Sequence, residues 1–324
     1  MASFVPPAAR SKLRAATLQE LVSFFRHGAS AGHETRPGRI CVLSGAGVST
    51  ESGIPDYRSP EGSYSRGHKP MSHQDFIKSG ARRKRYWARA VVAQKHFREA
   101  KPNACHTAIA ALEHAGFVSR VITQNVDRLH TMAGSSNVLE LHGHGHGVHC
   151  LSCGTEYSRH EYQDKIYSVN KGWFDLHLDP NDFVDIRADG DAHLDITDYD
   201  NFFVPSCSQC GGTIMPTIVF FGGTVPAHVK QASFDAVKDA DRLLVVGSSV
   251  TVWSSFRLCK AAKDQGKELA ILNVGETRAD PIADFKIDEV TCGQALTELT
   301  QDLLGPPSAW PGVSFSSSTS ASAR

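Results

Sequence analysis

The 324-residue sequence predicts an α/β fold: a doubly wound, mostly parallel sheet with a smaller inserted zinc-binding module. Three observations carry that prediction. Short apolar strand-like runs alternate with helical stretches on both sides of the middle of the chain, the pattern of βαβ units. A Gly-Ala-Gly turn at 45–47 follows directly on one of these runs. Two C-x-x-C pairs, Cys150/Cys153 and Cys207/Cys210, bracket a stretch in which the alternation stops.

Taken in order, residues 18–26 read as a helix stopped by Gly28, and 39–44 (RICVLS) as a strand ending at the glycine turn. Asn103 is placed to cap a helix running through His114, with Gly116 as its stop, and 117–123 (FVSRVIT) is the next strand. Residues 242–246, 254–263 and 268–274 repeat strand, helix, strand. Residues 151–205 are acidic and irregular (DPNDFVDIRADGDAHLD) and read as a module in which zinc replaces a missing core. The four thiolates complete the tetrahedral shell of a structural zinc. The gap from 154 to 206 exceeds the usual spacing of about 15–20 residues, so redox or buried-thiol roles remain the alternatives. Each pair is followed by a glycine, Gly154 and Gly211, which favours the metal.

Lys+Arg and Asp+Glu both number 34, so no net field favours nucleic acid or an anionic membrane. Apolar runs such as 243–246 are far shorter than the ~18 residues a membrane span requires, and a soluble protein is expected. Cys41, Cys105, Cys259 and Cys292 are scattered, as in a reducing compartment. Residues 1–15 read as a flexible start; no acid precedes Glu20 while Arg10, Lys12 and Arg14 do. Transit peptides and ordinary basic tails share that composition. Residues 305–324, rich in Ser, Pro and Gly, read as a disordered tail.

A strand, Gly-x-Gly and a turn are the setting in which backbone N–H groups cradle a pyrophosphate. Thr50 stands at the sixth position of that pattern, and no strand ending in an acid follows about 20 residues on. A nucleotide is expected, but an ordinary hydride-transfer enzyme is disfavoured.

The motifs GAGVSTESGIPDYRS, TQNVDRLH at 123–130, ELHG at 140–143, the two C-x-x-C pairs, VVGSS at 245–249 and LNVG at 272–275 together resemble the sirtuin family. RYWAR at 85–89 and ETRAD at 276–280 resemble its class II branch. The resemblance covers about residues 5–304 and implies a catalytic domain over 16–304. Within it, a Rossmann-like NAD-binding part (16–149 and 211–304) would accompany the zinc module (150–210) and a helical insertion over 60–100.

The resemblance further implies an NAD-dependent protein-lysine deacylase that releases nicotinamide and O-acyl-ADP-ribose from acylated protein lysines. It places Gly45, Ala46 and Gly47 at the phosphates, Ile54 and Asp56 in the nicotinamide pocket, and Tyr57 and Arg58 on the loop closing over the cofactor. Gln124, Asn125, Val126 and Asp127 fall at the nicotinamide ribose and carboxamide, and His142 is the general base. Asn125 and Asp127 share the catalytic assignment; for Asp56 and Asp127 the plain alternative is a turn or cap aspartate. Gly247, Ser248 and Ser249, then Asn273, Val274 and Gly275, line the phosphate and adenosine side, and Cys292 contacts adenine through its backbone. Zn2+ sits on Cys150, Cys153, Cys207 and Cys210; His144, His146 and His149 are bystanders, the alternative being a second, His-rich metal site on a flexible loop.

Tyr86 and Arg89 resemble a Tyr-x-x-Arg pair that holds acidic acyl chains, against the alternative of a solvated basic helix. Two features depart from the family pattern, the GHGHG run at 143–147 and Gly223, which stands where an acidic residue is usual. Mono-ADP-ribosyl transfer, or NAD binding with little turnover, are the competing functions. A mitochondrial matrix location is expected, with cytoplasm or nucleus as alternatives, and a monomer is the working expectation.

Overall fold

Alternation of buried side chains decides how the large sheet is covered. In β2 (Ile40–Ser44), Ile40 and Val42 belong to one apolar cluster, Cys41 and Leu43 to another, and all four are buried. A strand buried on both faces needs helices on both. The computed structural model, which describes residues 14–26, 39–178, 187 and 189–312, shows that arrangement.

Seven parallel strands lie in the order β1 (Arg14–Ala15), β10 (Phe285–Ile287), β9 (Glu268–Leu272), β8 (Arg242–Val246), β2, β3 (Val118–Thr123) and β4 (Val138–Glu140). Helices α1 (Leu18–Arg26), α4 (Ala104–His114) and α10 (Cys292–Leu304) pack on the Ile40/Val42 face. Helices α8 (Ala227–Asp239) and α9 (Trp253–Asp264) cover the other. As expected, Asn103 caps α4, accepting hydrogen bonds from the backbone N–H groups of Cys105 and His106, and Gly116 ends it at φ +84°. Strand order reverses between β2 and β8, so a crevice opens beyond their carboxyl ends, where open α/β sheets place their ligands.

The smaller unit is an antiparallel sheet in the order β6 (Glu156–Ser158), β5 (Gly143–Cys150), β7 (Ile214–Ile218). Limits at 150 and 210 are too narrow for it, because β5 begins before the first and β7 ends after the second. Helices α6 (Arg159–Val169) and α7 (Lys171–His177) occupy part of the segment expected to be irregular. With α2 (His73–Lys78) and α3 (Gly80–Glu99) they enclose Phe76, Tyr86, Trp87, Tyr162, Trp173, Phe174, Phe202 and Phe220. Rings of this kind bury roughly 150–250 Å² each. The module therefore has an apolar core of its own, and zinc does not stand in for one.

The short α5 (Leu129–Met132) links β3 to β4. Residues 305–312, expected in a disordered tail, include a 3-10 turn, and Trp310 packs into the Ile40/Val42 cluster. Gly28, the basic start through residue 13 and the tail from 313 lie outside the described residues. No helix among the described residues is long and apolar enough to cross a membrane.

Candidate active site

The crevice is built by close approach of backbone to backbone. The N–H of Gly45 donates to the carbonyl of Val246 (3.1 Å) and that of Gly47 to the carbonyl of Gly247 (2.9 Å). A Cβ on Gly47 would lie 2.8 Å from the Gly247 carbonyl oxygen, and one on Gly45 would lie 2.7 Å from the Ser248 Cβ. Only glycine fits at either place. Val250, at φ +41°, is a β-branched residue in left-handed backbone, held by the bond from its N–H to Ser248 Oγ (3.1 Å).

Around this point lies a cavity of about 1010 Å3. It brings together Gly45, Ala46, Gly47, Asp56, Tyr57, Arg58, Gln124, Asn125, Val126, His142, Gly247, Ser248, Ser249, Asn273, Val274, Gly275 and Cys292. Two of the expected residues do not line it. Ile54 is buried with Ala100 and Leu129 behind the wall. Asp127 is buried behind Asn125, where Oδ1 accepts from the Leu129 N–H (2.9 Å) and Oδ2 from the Ser49 hydroxyl (2.7 Å). Burial raises its carboxyl above the ordinary range, and these hydrogen bonds pull it partly back. Asp127 thus ties the first residue of α5 to the Ser49 hydroxyl, and Asp56 organises a turn, its Oδ1 accepting from the N–H groups of Arg58 and Ser59 (both 2.9 Å).

Gln124 and Asn125 tie the end of β3 to β2. Gln124 Nε2 donates to the Ser44 carbonyl (3.1 Å) and to Ser248 Oγ (2.8 Å). Asn125 Nδ2 donates to the Gly45 carbonyl (3.1 Å) and to Ser49 Oγ (3.0 Å). His142 follows β4 and lies against the same loop. Its Nδ1 faces the Gln124 carbonyl (3.1 Å), which can only accept, so Nδ1 carries the proton and Nε2 is bare. The Ser254 hydroxyl donates to that Nε2 at 2.8 Å. Burial lowers the His142 pKa to about 4; the Gln124 carbonyl opposes the shift and the Arg257 charge adds to it. Near neutrality His142 is a neutral imidazole at a cavity wall, its Nε2 lone pair accepting the Ser254 hydroxyl. Burial pushes the Cys292 thiol up to about 12, leaving it an inert thiol at the cavity's far end.

The four cysteines of the two pairs converge. Cys150 and Cys210 Sγ are 3.5 Å apart, Cys153 and Cys207 Sγ 3.7 Å, and no cysteine forms a disulfide. Zn–S bonds of about 2.3 Å put tetrahedral sulfurs roughly 3.8 Å apart, so the donor set fits zinc. Gly154 (φ +74°) and Gly211 (φ +73°) turn each knuckle back so that its N–H meets the carbonyl of the first cysteine (both 2.9 Å).

Tyr86 and Arg89 reach neither the cavity nor solvent. The Tyr86 hydroxyl accepts from Arg159 (3.2 Å), and Arg89 pairs with Asp191 (3.0 Å) while donating to the Ala192 carbonyl. The acidic-acyl pocket is thereby corrected, since these two side chains sit in the module's packed interior, while Arg82 and Arg85 earlier on the same helix are exposed, as a solvated basic stretch would be. The GHGHG run lies in strand β5, not on a loop. Its glycines permit close contacts: a Cβ on Gly143 would meet the Thr217 carbonyl oxygen at 2.2 Å, and the Gly145 N–H bonds the Val126 carbonyl (2.7 Å). Among the described residues, His144, His146 and His149 belong to no group of three or more metal-ligating side chains. Gly223 lines the cavity.

Sequence reasoning passed over Ser44, Ser49, His106, His130, Ser254 and Arg257. Ser49 stands inside the quoted glycine motif and His106 three residues after the recognised cap, so both were within reach. Ser254 and Arg257 carry no local signature; Arg257 lines the cavity, and its Nε and Nη2 have no hydrogen-bond partner.

The model of the Sir2 family matches residues 45–254. The NAD-dependent protein deacylase Sirt4 of Drosophila melanogaster is 48% identical over 262 residues, which span 80% of this chain and 82% of that protein. The NAD-dependent protein deacylase SRT2 of Arabidopsis thaliana is 45% identical over 260 residues, 77% of this chain and 69% of that one. A solved structure of Sir2 with a p53 peptide and NAD+ superposes with a TM-score of 0.67 at 27% identity, covering 89% of this chain and 98% of the other. With a doubly wound sheet, a four-cysteine module beside it, a cavity edged by the glycine turn and His142, and a family match over residues 45–254, this chain belongs to the Sir2 family, the sirtuins.

Proposed function

We propose that this chain is an NAD-dependent protein-lysine deacylase that moves the acyl group to ADP-ribose. One observation carries the reading most directly: the bare Nε2 of a neutral His142 stands at the wall of the cavity that the glycine crevice opens into. Its surroundings suit NAD. Gly45, Ala46 and Gly47 with Gly247, Ser248 and Ser249 would hold the phosphates. Asn273, Val274, Gly275 and the backbone of Cys292 would take the adenosine end, and Gln124, Asn125 and Val126 the nicotinamide ribose and carboxamide. Ile54 and Asp127 act from behind, as packing and as an anchor for Ser49.

When bound, NAD would supply a ribose carbon made electrophilic by departure of nicotinamide, to be met by the acyl-amide oxygen. The chain's part is positioning, water exclusion and one proton. Asp56, Tyr57 and Arg58 would shield the cavity, and His142 Nε2, which now accepts the Ser254 hydroxyl, would be the acceptor for the proton of a ribose hydroxyl. The residue runs 218–222 and 249–253 edge the cavity and would receive an extended substrate peptide between them. Cys150, Cys153, Cys207 and Cys210 would hold a structural zinc outside the chemistry.

Placement in the class II branch rests on RYWAR and ETRAD, and a mitochondrial location on the acid-poor start. Import of a fluorescent fusion into mitochondria checks the latter; a purely cytosolic or nuclear signal ends it. The activity is tested with NAD and a panel of acyl-lysine peptides, reading O-acyl-ADP-ribose by mass spectrometry. ADP-ribosylated protein without that product would replace deacylation by ADP-ribosyl transfer. NAD binding without either product would leave only a binding module.

A further inference from the structure

One corner of the cavity carries positive charge that no acid of this chain meets. Ser254 and Arg257 stand three residues apart on one face of α9, with Ser254 Oγ 2.8 Å from His142 Nε2. Arg257 lines the cavity, and its charge is felt at His142. Its Nε and Nη2 are shut off from solvent yet have no hydrogen-bond partner. The guanidinium is held by a ring instead, its carbon 5.5 Å from the centroid of Phe234 on α8. Lys230, one turn before Phe234 on the same face of α8, lines the cavity too and is exposed, marking the open side.

Among the described residues, the acids that line the cavity are engaged or lie elsewhere. Asp56 is held by its own turn and Asp189 by His68 (3.2 Å). Glu51 acts on Cys292, and Glu276 follows Gly275, both toward the adenosine end. Position 223, where the family pattern has an acid, is glycine, and a Cβ there would lie 2.9 Å from the Phe220 carbonyl oxygen. A desolvated guanidinium with unused donors is unfavourable until a ligand brings acceptors.

We infer that Arg257, with Lys230, is a subsite for a carboxylate side chain of the substrate, so that the acyl-lysine this chain accepts has Asp or Glu within two residues of it. Location selects the source. Arg257 lies on the helix that continues cavity edge 249–253, and Lys230 on the helix that follows edge 218–222. The two cations therefore flank the segments that would receive an extended peptide. Side chains two residues apart on such a peptide point the same way, roughly 7 Å from each other. A neighbour of the acyl-lysine thus reaches the same wall, where the arginine fork can take its carboxylate. The inference rests on the peptide's place in the proposed deacylase reaction.

The test compares matched acyl-lysine peptides carrying Glu, Gln or Lys at each of the two positions on either side. For at least one position, wild type should favour Glu over Gln by about ten-fold in kcat/KM, through KM, the scale of a charge-assisted hydrogen bond. Arg257→Gln should shrink that ratio to within about two-fold, and Arg257→Glu should turn the preference toward Lys. Lys230→Gln should lower the ratio less, because an exposed charge is screened. The KM for NAD should move by less than about two-fold in each variant. Ratios between peptides on one variant are unaffected by any loss of folded protein. A wild type indifferent to the flanking charge, or an Arg257→Gln ratio equal to wild type, would overturn the inference. So would a KM for NAD rising in step, which places Arg257 at the cofactor, or an effect confined to peptides whose acyl chain is itself carboxylated. Fluorescence anisotropy of the labelled peptides gives the same ratios without turnover. A wild type that prefers Glu peptides in binding but turns over none would sink the deacylase reading and leave the subsite standing.

Discussion

The glycine crevice and the four-cysteine module solve the same problem, holding a few groups in fixed relation, by different means. The crevice does it with backbone: Gly45 and Gly47 lie so close to residues 246–248 that no side chain fits between, and Ser44, Ser49, Gln124 and Asn125 cross-link the strand ends. The module does it twice, with an aromatic core and with four convergent thiolates at its edge. The difference teaches where each region is vulnerable. A methyl group is enough to spoil the crevice, whereas the module should survive loss of the metal's neighbours but not of its ligands.

The sharpest break in this comparison is His142→Ala. Turnover should fall on the order of 10²–10⁴-fold, the usual worth of a positioned base, with zinc content and melting temperature unchanged. Loss of zinc together with activity would mean that His142 belongs to the metal site. Next comes Cys207→Ser. One lost ligand should release the metal and lower the melting temperature markedly, since structural zinc is coupled to folding. Elemental analysis beside calorimetry checks this; unchanged melting without metal would make the aromatic core alone sufficient.

The crevice is probed by Gly47→Ala. A Cβ 2.8 Å from the Gly247 carbonyl oxygen should cost roughly 1–3 kcal/mol and weaken ADP binding, by calorimetry, while zinc stays bound. An undisturbed affinity would remove the close-approach argument.

Acid should separate the regions more gently. His142 and His130 have pKa values lowered to about 4, chiefly by burial, against about 6.5 when unfolded. Between those values the unfolded chain binds more protons than the folded one, so stability is full above pH about 6.5 and falls as pH drops toward 4. Denaturant midpoints against pH should show that slope, and His130→Gln should flatten it. The smallest effect is expected from replacing His144, His146 and His149 together with Ala: zinc and turnover within about two-fold. Loss of metal there would revive a His-rich site.

Much of this was legible because it is local. The Asn103 cap, the Gly116 stop, the strand-like run of 39–44 and the C-x-x-C-G knuckles are set by a handful of neighbouring residues, and the structure reproduces them. The module's core was not legible, because it joins helices from 73–99 to helices from 159–177 and strands on either side, and no single stretch shows the sum. Tyr86 and Arg89 were misread for a related reason. Their spacing on a basic helix says nothing about Arg159 and Asp191, which take them from distant parts of the chain.

By itself, then, the sequence determined the α/β class, the glycine turn after a buried strand, the paired cysteines and the family, since each is written in contiguous residues with their own conformational or ligating preference. Tertiary structure alone decided that Asp127 and Ile54 stand behind the cavity wall, that Ser254 holds His142 Nε2, and that His106 reaches Ser49. Those outcomes depend on which strand ends meet at the sheet's reversal point. A buried hydrogen bond there is chosen by whichever partners packing delivers, and residues 142 and 254 become neighbours only when β4 and α9 arrive at the same crevice.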